Sequence, residues 1–320
     1  MAGVCCNELF YWGLSTVIVR EKPGFLALFF VFQGSIAPRV MPQIILVSLL
    51  AALTVVLHDH FPDFFPELTT TSFGFIGVAL SLYLGFRNNA CYERWWEGRK
   101  LWGQLLVEGR SLLRLSLSYR GQDSERHQRM VRRLIGFTQC LRDQLRGTDP
   151  MPGLANWLSF AELAQIESSV NRPEAILGLL GEQLATEVKS GGLDPVTVRN
   201  FEQRLVSLSE VVAGCERLGN TPLPFAYMLL VHRICYIYCL LLPFGLVASS
   251  GILTPLLTAI VAYAFFGLDE LSQELENPFG QTDNGLALDS MTRTFERECL
   301  QALGTPALPE PHASENYRLS

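Results

Sequence analysis

Small residues recur every fourth position at Gly77, Ser81 and Gly85, with Gly74 extending the row, and one position on Val78, Leu82 and Phe86 repeat with the same period. On a helix of 3.6 residues per turn these rows become two neighbouring stripes. The chemistry they offer is physical rather than covalent. The small-residue stripe lets a second helix approach closely. The apolar ridge has two readings. It is a surface for lipid or core contact, or, where identical helices gather around an axis, it forms rings of large side chains that close a water path by dewetting. Just beyond it, Asn88 and Asn89 can border an aqueous pathway, while Trp95 and Trp96, with Arg99 and Lys100, have the make-up of an aromatic and basic anchor at headgroup level. Spacing does not choose between these readings.

Covalent chemistry finds no support. The chain has no HExxH, Walker lysine motif, GxSxG or Cys/His dyad. It is therefore read as a non-enzyme without cofactor or metal. His58 and His60, with Asp59 and Asp63, resemble metal ligands only superficially and are expected to form a solvated mouth. Cysteines at 5, 6, 91, 140, 215, 235, 239 and 299 are scattered without a CxxC pair, so reduced thiols are expected, with acylation of Cys5 and Cys6 as the alternative at the membrane edge.

The elements that must position the stripes follow from composition. Of 320 residues 49% are hydrophobic and only 18% charged, with a net charge of −6. Mean hydropathy is +0.23. These values exclude a disordered chain, point to a membrane and argue against nucleic acid as a partner. A bilayer crossing takes about 20 apolar residues. Four spans are expected, at 40–57, 72–90, 228–248 and 252–268. The segment His58 to Thr71 carries Asp59, Asp63 and Glu67 but no Lys or Arg, whereas Arg20, Lys22, Arg39, Arg87, Arg94, Arg99, Lys100, Arg293 and Arg297 lie at the opposite ends. The positive-inside bias then puts both termini in the cytoplasm. Residues 1–39 form a cytoplasmic or interfacial segment, with a short amphiphilic run at Leu9 to Val19 expected as an interfacial helix rather than a signal peptide, and Phe25 to Phe32 packing at the interface.

Residues 91–226 are too long for a connection and form a domain, read as helical from the spacing of Leu101, Leu105, Leu106, Leu112 and Leu113 and of Leu205, Leu208 and Val212. Gly191, Gly192 and Pro195 punctuate it, with Asp194 as a helix cap. A cytosolic segment at 269–303 and a disordered tail at 304–320, rich in proline, complete an all-α membrane protein. His232 and Arg233 in the third span are expected to snorkel, with Glu93 or Glu97 as alternative partners, and Asp269 and Glu270 could pair with such cations.

FRNNACYERWWEGRKLWG at Phe86 to Gly103, together with ENPFGQTDNGLALDSM at Glu276 to Met291, resembles the bacterial branch of the bestrophin family over about Arg20 to Arg297. The resemblance implies a homopentameric ion channel with a pore on the five-fold axis. It places the pore neck at Val78, Leu82 and Phe86, the ridge that periodicity selects independently. A cytosolic aperture falls at Val196, after Asp194-Pro195, and Gly77, Ser81 and Gly85 serve helix packing at the neck. Animal members clasp calcium with an acidic run after Asn-Pro-Phe-Gly; here Gln281-Thr282-Asp283-Asn284-Gly285 offers one carboxylate, where calcium takes six to eight oxygens, so Asp283 and Glu276 are read as solvated or capping residues.

The combined expectation is a multi-pass channel of the bacterial inner membrane, self-assembled as a homopentamer, passing monovalent ions with a lean toward cations such as sodium and potassium. Three carboxylates per subunit in the external loop support that lean. An anion-selective channel of the same type is the alternative. A secondary transporter, hinted at only by Pro243, and a membrane scaffold are the remaining rivals.

Overall fold

The computed structural model describes residues 17–18, 24, 31, 34–61, 70–119, 124–311 and 318–319. Cys5, Cys6, Asp63, Glu67 and most of the expected interfacial segments lie outside the described residues. Helices account for almost all regular structure: α1 (Ala37–His60), α2 (Thr70–Ser118), α3 (Ser124–Arg146), α4 (Met151–Leu154), α5 (Phe160–Glu167), α6 (Arg172–Lys189), α7 (Pro195–Asn220), α8 (Phe225–Ser250), α9 (Thr254–Glu276) and α10 (Leu288–Ala302). The exception is a strand pair, β1 (Val17–Ile18) antiparallel to β2 (Arg318–Leu319), with Val17 opposite Leu319 and Ile18 opposite Arg318. The all-α class holds, and the pair differs from expectation only locally, where Val17 and Ile18 read as the end of an interfacial helix and Arg318 and Leu319 as part of an unstructured tail. Val17 and Ile18 are β-branched and favour the extended backbone.

Two compact units divide the chain. The membrane unit comprises Glu21–Glu97 and Thr221–Pro278. It holds the two stretches of described residues that are long and apolar enough to cross a bilayer, Ala37–His60 and Phe225–Glu276. The second stretch is two helices. Gly251, at φ 48°, takes a left-handed conformation that ends α8 and opens the 3-10 turn Gly251–Leu253, and the Thr254 hydroxyl donates to the Gly251 carbonyl at 2.7 Å to start α9. The expected spans fall within α1, α2, α8 and α9, apart from 252–253 in the 3-10 turn. The start of α2 is less apolar than the other three because the small, polar stripe dilutes it. The core of this unit joins Ile44 and Val47 of α1, Leu80 and Leu84 of α2, Cys235 and Leu242 of α8 and Phe266 of α9. Ile45, Leu46, Leu49, Leu53 and Val56 of α1 stay exposed, an apolar face that hydrocarbon can cover at little cost.

The soluble-like unit comprises Met1–Arg20, Gly98–Asn220 and Phe279–Ser320. Here α2 continues without a break past residue 90, since neither Gly nor Pro interrupts Asn88 to Gly98 strongly enough to stop it. Trp102, Leu105, Phe137, Ile176, Phe201 and Phe295 form its dry interior. Gly109 of α2 lies so close to α10 that a Cβ there would meet the Phe295 ring at 2.6 Å. The punctuation read from the sequence recurs here: Gly191, at φ 72°, follows α6, and the Asp194 carboxylate caps α7 by accepting from the Val196 and Thr197 backbone N–H groups at 2.9 and 3.0 Å.

Candidate functional site

In the membrane unit α2 buries one narrow stripe and leaves most of its circumference open. Leu80 (2% exposed), Leu84 (0%) and Arg87 (2%) point into the unit, while Val78 (63%), Leu82 (58%) and Phe86 (65%) form a continuous exposed line. A buried stripe at three- and four-residue spacing fixes the rotation of the helix, so the ridge is left on the outside. The small residues divide. Gly77 is buried against α8, where a Cβ would meet the Tyr238 hydroxyl at 2.6 Å. Ser81, whose hydroxyl donates to the Gly77 carbonyl at 2.5 Å, is exposed, and Gly74 and Gly85 have open space where a Cβ would be. Asn88 is half-buried, with its amide oxygen without a hydrogen-bond partner, and Asn89 is exposed.

One turn inward lies a feature that sequence reasoning assembles only in part. Arg87 donates from Nη1 to Asp269 Oδ1 of α9, and His232 of α8 meets Asp269 Oδ2 at 2.6 Å through Nδ1. Gln273 Nε2 reaches the same oxygen at 3.5 Å. The imidazole leans on Tyr236, ring centroids 4.6 Å apart, and Tyr236 on Phe266 at 4.8 Å. His232 therefore pairs with Asp269, one of the two carboxylates named for such cations, instead of snorkelling or meeting the alternative partners Glu93 and Glu97. The Asp269 side chain is 4% exposed and the Arg87 side chain 2%, so both charges are withdrawn from solvent and compensate each other. The available signal is an arginine next to Phe86 together with Asp269 near the end of the fourth span; only the Asp269 half suggests pairing. A second ion pair on the same unit joins Arg39 of α1 to Glu274 of α9.

Arg94, of the Arg94-Trp95-Trp96 triplet, staples three segments. Its Nε donates to the Glu276 carbonyl at 3.1 Å and its Nη1 to the Thr221 carbonyl at 2.7 Å, while the Glu276 carboxylate accepts from the Leu223 N–H at 3.0 Å. Glu276 is thus a backbone cap at the entry to α8. Trp95 stacks between Tyr92 and Trp96, with centroids at 6.2 and 6.4 Å.

In the soluble-like unit Val196 is 77% exposed on the first turn of α7. Three donors, foremost the Thr197 hydroxyl, hold the Asp194 carboxyl below the usual carboxylate range. Phe279, of the Asn-Pro-Phe-Gly motif, is 1% exposed and anchors the segment in which the Gly285 N–H donates to the Thr282 carbonyl at 3.0 Å. Among the described residues no group of three or more His, Cys, Asp or Glu side chains converges as a metal site. The described cysteines are buried and none forms a disulfide; burial pushes the Cys140 thiol up to about 12.

Comparison with known proteins adds an independent line. Residues 17–301 match the family described as bacterial/fungal bestrophin protein. A voltage-dependent anion channel-forming protein of Mesorhizobium japonicum is 43% identical over 305 residues, which cover 95% of this chain and 98% of the relative. A protein of the same description from Escherichia coli K12, YneE, is 36% identical over 92% of this chain and 96% of its own. Among solved structures, a bacterial bestrophin homolog from Klebsiella pneumoniae superposes with a TM-score of 0.81 at 34% identity, covering 84% of this chain and 100% of that one.

Proposed function

The chain belongs to the bacterial and fungal bestrophin family, and on that premise we propose that it assembles as a homopentamer around a single pore in the bacterial inner membrane. It is a membrane ion channel of the bestrophin type, not an enzyme. Four spans per subunit keep both termini in the cytoplasm. Ions move passively through a neck ringed by Val78, Leu82 and Phe86 and leave through an aperture ringed by Val196. Asn88 and Asn89 follow the neck, and Ser81 and Gly85 offer the shallow surface on which neighbouring helices close. The observation that carries this reading is the exposed line of Val78, Leu82 and Phe86, one row of a broad open surface of α2 that also holds Phe75, Ile76 and Tyr83, outside the buried stripe of Leu80, Leu84 and Arg87. Apolar rings cannot coordinate an ion, so they gate by widening and wetting. Leu82→Ala is expected to raise open probability in planar bilayers; unchanged conductance and open probability would sink the assignment.

For selectivity, anions are favoured over the cations expected from the sequence, because the relatives from Mesorhizobium and Escherichia are named as anion channel-forming proteins. The specific observation on the other side is the external segment, where Asp59, Asp63 and Glu67 stand without a Lys or Arg. Reversal potentials in a sodium chloride gradient decide: a shift toward the chloride equilibrium potential is expected, and a shift toward that of sodium restores the cation reading.

A further inference from the structure

We propose that Asp269 is a positioning residue for the neck: by holding Arg87 on one carboxylate oxygen and His232 on the other, it locks the rotation of α2 at the level of Phe86. The proposal rests on the neck reading above. Phe86 and Arg87 are consecutive, so on a helix they point roughly 100° apart. A turn of α2 that swings Phe86 away from its exposed line must carry Arg87 out of its buried site and off Asp269.

The lock has to be polar. In water, burial of Leu80 and Leu84 would fix the helix by itself. In lipid, a leucine turned outward loses little, because hydrocarbon tails are as apolar as the core. A charged arginine turned outward gives up its buried carboxylate and must stretch along the helix to the headgroup layer, a cost the leucines do not meet, so Arg87 penalises rotation where they do not. Asp269 is suited to the role because both of its oxygens are used: His232 holds Oδ2 at 2.6 Å and Arg87 holds Oδ1, which leaves the carboxylate one orientation. Three helices, α2, α8 and α9, thereby meet at one side chain.

The test uses the full-length oligomer in liposomes, with Cys5 and Cys6 changed to serine and Phe86→Cys as reporter, labelled by a charged, membrane-impermeant thiol reagent. Arg87→Met with Asp269→Leu removes the lock while leaving no unpaired charge. The doubly changed channel is expected to label at least fivefold more slowly at position 86 and, in the Phe86 background, to change its ion flux at least threefold. Asp269→Glu, which keeps a two-oxygen acceptor for both Arg87 and His232, is expected to hold both readouts within twofold of the parent. An Arg87→Met/Asp269→Leu oligomer that assembles and labels at the parent rate overturns the proposal while the neck reading stands. Asp269→Asn is the severe version; if it does not assemble, the paired variant and Asp269→Glu decide. Failure of the neck reading looks different: Phe86→Cys then labels no faster than the lipid-facing control Leu49→Cys whatever stands at 87 and 269, and both ideas fall together.

Discussion

In the soluble-like unit, Trp102 (0% exposed) and Phe201 (1%) fill the interior, and arginines such as Arg110 sit half in water; in the membrane unit Leu46 (62%) and Leu49 (64%) face outward while Arg87 (2%) is enclosed. The same chain therefore weights apolar burial and ion pairing differently in its two units. In the soluble-like unit apolar burial decides which face turns in, and the ion pairs range from the half-open Arg110–Glu298 to the enclosed Arg133–Glu162. Where lipid surrounds a unit, apolar side chains are nearly indifferent, and the few polar groups decide. The energetic weight of one ion pair should differ accordingly.

The sharpest way to break this contrast is Asp269→Ala, which leaves Arg87 enclosed without a counter-charge. A loss of about 3–5 kcal/mol is expected, read as a lower melting temperature and poor assembly in detergent. Combining Asp269→Leu with Arg87→Met is expected to recover most of that loss. A single substitution that melts like the parent would show that the pair contributes no more than a surface bridge.

Gly109→Ala probes the dry interior of the other unit. Its Cβ would come within 2.6 Å of a Phe295 ring that is 0% exposed, so a loss of about 1–3 kcal/mol from overpacking is expected in a thermal melt. A smaller effect follows from Glu162. Burial pushes its carboxyl up, but the Ser159 hydroxyl and N–H, at 2.6 and 2.8 Å, and Arg133 Nε, at 2.7 Å, outweigh burial and hold it below the usual glutamate range. A depressed carboxyl stabilises fully above the unfolded value near 4.3 and loses that contribution as pH falls through the lower folded value. Glu162→Gln is therefore expected to cost about 1 kcal/mol at neutral pH and to flatten the acid limb of stability below about pH 4. The smallest effect belongs to Arg110. Its guanidinium grips Glu298 at 2.8 and 2.7 Å, but the pair is largely in water, so Arg110→Ala should cost about 0.2–1 kcal/mol and less in high salt. A loss from Arg110→Ala as large as that from Asp269→Ala would erase the distinction between the units.

What is legible in the sequence follows the same division. In the soluble-like unit, helical spacing locates Leu105, Leu112, Leu113, Leu205, Leu208 and Val212, which are buried, and Leu101 and Leu106, which are half-buried, because water makes periodicity informative. In the membrane unit the ridge of α2 is visible as a period, but its direction is not, since both faces are apolar. Arg87 counts in the sequence only as a basic residue on the cytoplasmic side; its partner lies 182 residues away, and no local pattern links them. Gly77 reads as a contact for an identical helix, yet within the protomer its space is taken by Tyr238. Hydropathy ends the second span at residue 90, where the helix does not end, because a helix has no reason to stop at a bilayer surface unless Gly or Pro stops it.

The separation of Arg87 from Asp269 also has a meaning in time. A ribosome adding roughly 5–20 residues per second needs about 10–40 s to travel the 182 residues between them. Throughout that interval the second span sits in the nascent protein with an arginine whose carboxylate has not been synthesised. Placed near the basic end of its span, Arg87 can wait with its guanidinium in the headgroup layer. The α8–α9 hairpin, delivered last, brings His232 and Asp269 together, and only its arrival lets the arginine leave the surface, so the enclosed ion pair of α2 is completed only once α9 has been made.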